Sequence, residues 1–271
     1  MTAPRILLLG GHGKVSLLLT PKLLSRSWDV ISVIRNPDQK PAILSTAPSV
    51  PKAGNLSVLI SSIGDVKSPS DAQKIIDDTK PDWIVWSAGA GGKGGKEMTY
   101  AIDRDAATCF IKAAVNTPSV SKFLLVSALN GRRHKADWWS DEAYASVRKI
   151  NEEVMPDYYK AKLAADDALT VLGEQRREKD GKFQYIVLRP GALTDGEETG
   201  KVSLGKAEPR TSVSRADVAG VAAELLDGEA NGWFDLVEGK DGVKEAVQKV
   251  IKEGVDSRDG ESFEVMKKTL A

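Results

Sequence analysis

The chain is poor in the residues that mark several functional classes. It holds one cysteine, Cys109, in 271 residues, so no intrachain disulfide can form. Its opening run MTAPRILLLGG lacks the apolar stretch and cleavage site of a secretory leader. A reducing, cytoplasmic setting is expected. Cys109 falls in a helical pattern among apolar neighbours, where a buried, inert thiol is expected. No apolar run approaches the roughly 18 residues of a membrane span. Net charge is absent as well: 38 Lys and Arg balance 38 Asp and Glu. With no basic stripe along any face, neither nucleic acid nor a membrane surface is expected as a partner. No metal-ligand set stands out. A small molecule is the expected partner.

What the chain does have is alternation. Short apolar runs at Arg5–Gly10, Asp29–Ile34, Leu56–Ser61, Asp82–Ser87, Lys122–Ser127, Phe183–Leu188 and Trp233–Val237 predict strands. Helical patterns lie between them near 14–26, 69–79, 97–116, 157–177, 215–227 and 241–252. Such βαβα order predicts an α/β, doubly wound parallel sheet of the Rossmann type, with residues 1–271 forming one domain. Ser68-Pro69 and Pro156 have the chemistry of helix starts. Pro21 should kink or end the first helix, because it removes a backbone donor. Asn36–Asn55, rich in Pro, Ser and Ala, predicts a long surface loop.

The first strand runs into Gly10-Gly11-His12-Gly13-Lys14-Val15-Ser16, a partial G-x-x-G-x-x-G in which serine takes the last glycine's place. Gly10 permits a tight turn, and Gly13 lets backbone N–H groups approach a pyrophosphate at the positive end of the following helix. The third position needs only a small side chain. Because the motif joins the first strand to the first helix, a dinucleotide is expected there. The second strand ends in Ile34-Arg35 with no acidic residue to meet an adenosine ribose. Arg35 suits a 2′-phosphate, so NADP is expected in preference to NAD. Lys14 can add a second charge or be a solvated helix start. Gly64-Asp65-Val66 follows the third strand, where Asp65 and Val66 are placed to meet the adenine; Asp65 suits an ordinary turn equally well.

With these residues, the chain resembles the short-chain dehydrogenase/reductase superfamily, in its atypical NAD(P)H-binding branch close to NmrA-like proteins and candidate epimerases. The resemblance covers about residues 5–237. Its most specific piece is WSAGAGGKGG after the fourth strand, followed by Asp103 in a helix where most relatives carry a catalytic asparagine. The resemblance implies NADP binding and a catalytic set of Ser, Tyr and Lys. Ser87, Ala88 and Gly89 pass the cofactor at the carboxyl edge of the sheet, while Lys96 and Lys93 are expected to be solvated. Ser127, within LLVSALNG where the fifth strand ends, can orient a substrate carbonyl or cap its own turn. Tyr158 and Lys162 are one helical turn apart, so the ammonium should favour the phenolate while also holding the nicotinamide ribose. Pro190 and Gly191, after Arg189, resemble the family's turn beside the nicotinamide. Ser214-Arg215-Ala216-Asp217-Val218 resembles a helix opening, with Arg215 and Asp217 pairing or capping.

One departure stands out. Residues 128–157 form an insertion where many relatives have a short stretch, and it is a possible substrate lid. Its Trp138, Trp139 and Tyr144 can wall a pocket or simply pack the insertion down. Arg132, Arg133 and His134 can meet an acidic group. Two functions stay open: an NADP-dependent oxidoreductase (or an epimerase or dehydratase using the same residues), and a non-catalytic NADP-sensing regulator.

Overall fold

The computed structural model describes residues 3–91 and 94–270; Gly92 and Lys93 of the glycine-rich loop lie outside them. In chain order the strands are β1 (Arg5–Leu9), β2 (Asp29–Ile34), β3 (Leu56–Ile60), β4 (Trp83–Trp86), β5 (Lys122–Val126), β6 (Gln184–Pro190), β7 (Leu193–Thr194), β8 (Lys201–Gly205), β9 (Val213–Ser214), β10 (Gly232–Glu238) and β11 (Asp241–Gly242). The helices are α1 (Lys14–Leu24), α2 (Lys40–Leu44), α3 (Pro69–Thr79), α4 (Gly95–Thr99), α5 (Ala107–Asn116), α6 (Asp141–Lys149), α7 (Pro156–Asp180), α8 (Arg215–Asp227), α9 (Val243–Glu253) and α10 (Phe263–Lys268).

All seven expected strands join one sheet in the order β3-β2-β1-β4-β5-β6-β10, every neighbour parallel. The order reverses between β1 and β4, which opens a crevice at the carboxyl ends of those strands. Four short strands were not anticipated: β8 adds antiparallel to β10 and β11 to β8, while β7 and β9 pair with each other in a separate two-stranded sheet. Alternation along each buried strand feeds two cores. In β1, Leu7 and Leu9 face the layer of α3, α5 and α7, whereas Ile6 and Leu8 face the layer of α1, α8 and α9. Cys109 is buried in the first core, where desolvation raises its thiol pKa, as an inert thiol requires.

Local chemistry sets the helix ends. Ser68 caps α3 in a reciprocal box with Asp71, and Pro156 opens α7. Pro21 does not stop α1, which runs on to Leu24. The stretch from Asn36 is not all loop: the Asn36 side chain caps a 3₁₀ turn at Pro37–Gln39 that leads into α2. The expected helix over 97–116 is also interrupted, since α4 passes into a π-helical stretch at Tyr100–Ala106 before α5 begins.

One polar group sits deep between these layers. Arg189 on β6 is fully buried. It donates to Asp235 of β10 at 2.9 Å and to the carbonyls of Leu129 and Gly131 at 2.8 and 3.1 Å, and stacks over Trp233. Asp166 of α7 lies 3.8 Å from it. Arg189→Leu leaves two buried carboxylates without their cation, a loss of about 3 to 5 kcal/mol. Thermal unfolding should show Tm lowered by roughly 6 °C or more; an unchanged Tm would mean that the pocket does not depend on this charge.

Candidate active site

A cleft of about 960 Å³ opens over the carboxyl ends of β1, β2 and β4. Gly10, His12, Gly13, Lys14, Arg35, Asp65, Ser87, Ala88 and Gly89 line it, so most of the residues expected at a cofactor share one wall. Gly11, Val15 and Val66 are instead packed behind it. Gly10 has φ +84°, and a Cβ there would lie 2.6 Å from the Ala88 Cα, so the two loops touch backbone to backbone. Gly11 leaves room for the Ser32 side chain. Ser16 is fully buried, as a small third residue of the motif should be. Gly13 precedes α1 without a side-chain cap, so the first-turn N–H groups have no side-chain acceptor where Gly13 and Lys14 line the cleft. Gly10, Gly13 and the helix end together form a cradle that fits a dinucleotide phosphate.

Charge around the cleft is distributed differently from the expectation at one point. Lys14 is exposed but pairs with Asp195 at 2.5 Å, and Asp195 also receives Arg215 at 2.7 Å. Arg215 therefore bonds outside its own helix, while Asp217 accepts from Ser214 and from the Thr199 and Gly200 backbone. Arg35 is exposed at the end of β2 and, among the described residues, makes no ion pair. Gln39 and Lys67, which sequence patterns did not single out, line the same cleft, as do Glu97 and Met98.

Beyond the Ala90 end of the cleft sit the groups expected to do chemistry. The π-helical turn carries Asp103 inward, where it is almost wholly buried and accepts from the Ala90 N–H at 2.9 Å. Gly89 makes room for it, since a Cβ there would stand 2.9 Å from the Asp103 carboxylate. Lys162 donates to the carbonyl of Val126 at 2.8 Å and lies 3.9 Å from Asp103. α7 holds Tyr158, Lys162 and Asp166 at intervals of four, one stripe along its face. Ser127, just past β5, is buried with no hydrogen-bond partner on its hydroxyl. Tyr158 departs from expectation: burial and the nearby Asp103 and Asp166 carboxylates outweigh Lys162 and hold the phenol above its ordinary pKa. Pro190 ends β6 in the sheet and Gly191 donates to the Leu236 carbonyl; neither lines the cleft.

In the insertion, the protein itself engages the side chains. Arg132 is buried, donating to the carbonyls of Ser257 and Asp259 and lying over Trp138 and Trp139. Arg133 pairs with Asp167 and Glu261. Both tryptophans donate to the Ala207 carbonyl, and Trp139 is buried in a small core with Leu129 and Val147. These aromatics pack the segment down. Asp166 is a further buried acid on this stripe, marked in the sequence only by its spacing of four from Lys162.

The sequence profile of an NAD(P)H-binding family matches residues 10–229. The chain belongs to that NAD(P)H-binding family. It is 30% identical over 249 residues to a Bacillus subtilis protein named as an uncharacterized sugar epimerase, YhfK, covering 91% of this chain and all of that one. Among solved structures it is similar to a candidate NAD-dependent epimerase/dehydratase from Bacillus halodurans, with TM-score 0.71 and 25% identity over 91% of this chain and all of the other. The Bordetella bronchiseptica enzyme WbmH in complex with NAD+ shares the fold at TM-score 0.62 and 17% identity, over 93% of this chain and 81% of that one. These likenesses agree with the Rossmann architecture and with the atypical short-chain dehydrogenase/reductase branch. No helix among the described residues is long and apolar enough to cross a membrane.

Gly10→Ala puts a methyl group against the Ala88 backbone at a φ that side chains rarely adopt. Fluorescence titration should show NAD(P)H affinity reduced by at least about tenfold, a loss of roughly 1.4 kcal/mol or more. Wild-type affinity in a folded Gly10→Ala protein would remove this loop from the cofactor site.

Proposed function

We propose that this protein is an NADP-dependent oxidoreductase that reduces a carbonyl on a small, partly apolar molecule. Tyr158 carries that reading. It stands one helical turn from Lys162 on the same face of α7, so a protonated phenol is presented beside the lysine at the end of β5. Bound NADPH supplies hydride chemistry. A carbonyl that gains hydride at carbon needs a proton at oxygen, and the Tyr158 hydroxyl is suited to give it. Lys162, fixed by the Val126 carbonyl at 2.8 Å and 3.9 Å from Asp103, is suited to hold the ribose hydroxyls of the cofactor, as the family resemblance implies. Ser127 is suited to orient the carbonyl through its unpartnered hydroxyl. The last turn of the insertion, with Ile150, Val154 and Met155 exposed just before α7, is suited to cover an apolar part of the substrate.

Arg35 supports NADP over NAD, because among the described residues it makes no ion pair in the cleft, and Lys67 adds a second basic side chain there. The family name YhfK carries makes an epimerase the second reading. It uses the same residues, and product analysis separates the two: net NADPH consumption marks reduction, whereas altered substrate stereochemistry with the cofactor unchanged marks epimerisation. The intact Tyr, Lys and Ser arrangement favours an enzyme over a redox sensor.

The cofactor preference rests on a charged hydrogen bond worth about 1.5 to 3 kcal/mol. Arg35→Ala should therefore weaken NADPH about tenfold or more while leaving NADH nearly unchanged in paired titrations. Equal wild-type affinities for the two cofactors would count against NADP.

For the chemistry, Tyr158→Phe should cut NADPH-dependent turnover at least about a hundredfold with cofactor affinity within a few-fold, since a general acid contributes roughly 10² to 10⁴. Lys162→Met should harm both turnover and binding, because it also strands the buried Asp103. Wild-type turnover by Tyr158→Phe would assign the Tyr and Lys spacing to chance.

A further inference from the structure

Asp166 is fully buried, and neither of its carboxyl oxygens has a hydrogen-bond partner. Ser127, buried at the end of β5, opens the turn that lies against this carboxylate: a Cβ on Gly131 of that turn would stand 3.5 Å from Asp166 Oδ2, and the Ser127 hydroxyl, which among the described residues makes no hydrogen bond of full geometry, is close enough to pull the Asp166 pKa down. Groups like these are rare in a close-packed interior, where buried polar atoms are normally satisfied. Two partners that face each other and remain unsatisfied suggest a bond that forms in one protonation state and direction at a time.

Every charge around Asp166 can be named. From β6, Arg189 stands 3.8 Å away and is shared with Asp235 of β10. From its own helix come Lys162, Asp167 and, one turn further on, Tyr158. Arg132 of the insertion adds charge beyond Arg189, and Arg133 neutralises Asp167. The cation at 3.8 Å is too distant to fix the carboxylate by hydrogen bonding. Burial accordingly dominates and lifts the Asp166 pKa to about 7, against the pull of Arg189, Ser127 and Lys162.

We propose that Asp166 is a positioning residue that sets the direction of the Ser127 hydroxyl, and with it whether Ser127 donates to a substrate carbonyl or accepts from a substrate alcohol. A protonated Asp166 donates to Ser127 Oγ, which frees the serine O–H to point at a carbonyl oxygen. An ionised Asp166 accepts that O–H, which leaves only serine lone pairs toward the substrate. No covalent bond or oxidation state changes; the carboxyl proton exchanges with solvent. Carbonyl reduction is favoured below the transition and alcohol oxidation above it. This rests on the oxidoreductase reading only for its consequence in turnover, since the coupling of the two side chains exists without substrate.

The test has two arms on the full-length protein. In the first, the Asp166 Cγ resonance is followed by ¹³C NMR between pH 5 and 9, in wild type and in Ser127→Ala, with no ligand added. The resonance should titrate near neutrality, and Ser127→Ala should raise the midpoint by about half a pH unit or more, because it removes a donor to the carboxylate. A resonance that does not titrate, or a midpoint unmoved by Ser127→Ala, overturns the proposal. The second arm follows NADPH-dependent reduction of an aromatic dicarbonyl probe. Wild-type rate should fall about tenfold per pH unit above the transition. Asp166→Asn, whose amide can donate permanently, should keep the rate flat over the same range. A falling limb that persists in Asp166→Asn overturns the proposal. If wild type reduces no carbonyl probe, the oxidoreductase reading fails, and the first arm still decides the Ser127 and Asp166 coupling.

Discussion

Arg189 reaches into three parts of the molecule at once: Asp235 and Trp233 on β10, the Leu129 and Gly131 carbonyls where the chain leaves β5, and Asp166 on α7. A guanidinium without exposure is tolerable only because its donors find fixed acceptors and carboxylates share its charge. Those acceptors belong to segments far apart in the chain. The arrangement therefore dictates where the insertion departs from the sheet, how α7 lies against β5 and β6, and what charge remains for the candidate active site. Arg132 repeats the pattern one layer out, tying the insertion to the Ser257 and Asp259 carbonyls of the C-terminal segment.

From that constraint follows the electrostatic character of the site. α7 carries Tyr158, Lys162 and Asp166 into a region from which water is largely removed, and desolvation acts on each acid in the same direction. A lysine one turn from a tyrosine favours the phenolate when both are solvated. Here Asp103 faces the same ammonium, and burial raises the cost of a second negative charge. The result is a buried phenol one turn from Lys162, next to a strand end whose serine hydroxyl has no full hydrogen bond among the described residues, which is what the proposed reduction draws on. That combination suits reduction of a polar bond under a family fold that binds NAD(P)H.

Asp103 owes its position to irregular backbone. In a regular helix the residues around it would follow the α period, but the π-helical turn at Tyr100–Ala106 widens the path and turns the carboxylate to the Ala90 N–H. Gly89 is the complementary device, its missing side chain leaving the space that the Asp103 oxygens fill. The Gly10 and Ala88 contact does the same for the two loops of the cofactor cleft. Each close approach is made where a side chain has been removed.

Much of this architecture could be read from the chain alone, because strand burial and helix amphipathicity are local properties that leave a period in the sequence. Seven strands, their parallel order and the glycine turn after β1 follow from apolar runs, alternation and the position of Gly10 and Gly13. Local caps such as Ser68 and Pro156 were legible for the same reason. The strands β7, β8, β9 and β11 were not, since three of them are only two residues long and β8, KVSLG, is not an apolar run. Nor was the pairing of Lys14 with Asp195, 181 residues away, or the engagement of Arg132 and Arg133 by the C-terminal segment. Those partners are chosen by where the sheet brings distant segments together. The acidities were decided at the same level: a Tyr and Lys spacing is written in sequence, but the burial that raises the Tyr158 pKa and lifts that of Asp166 to about 7 exists only once water has been excluded by the packed layers around them.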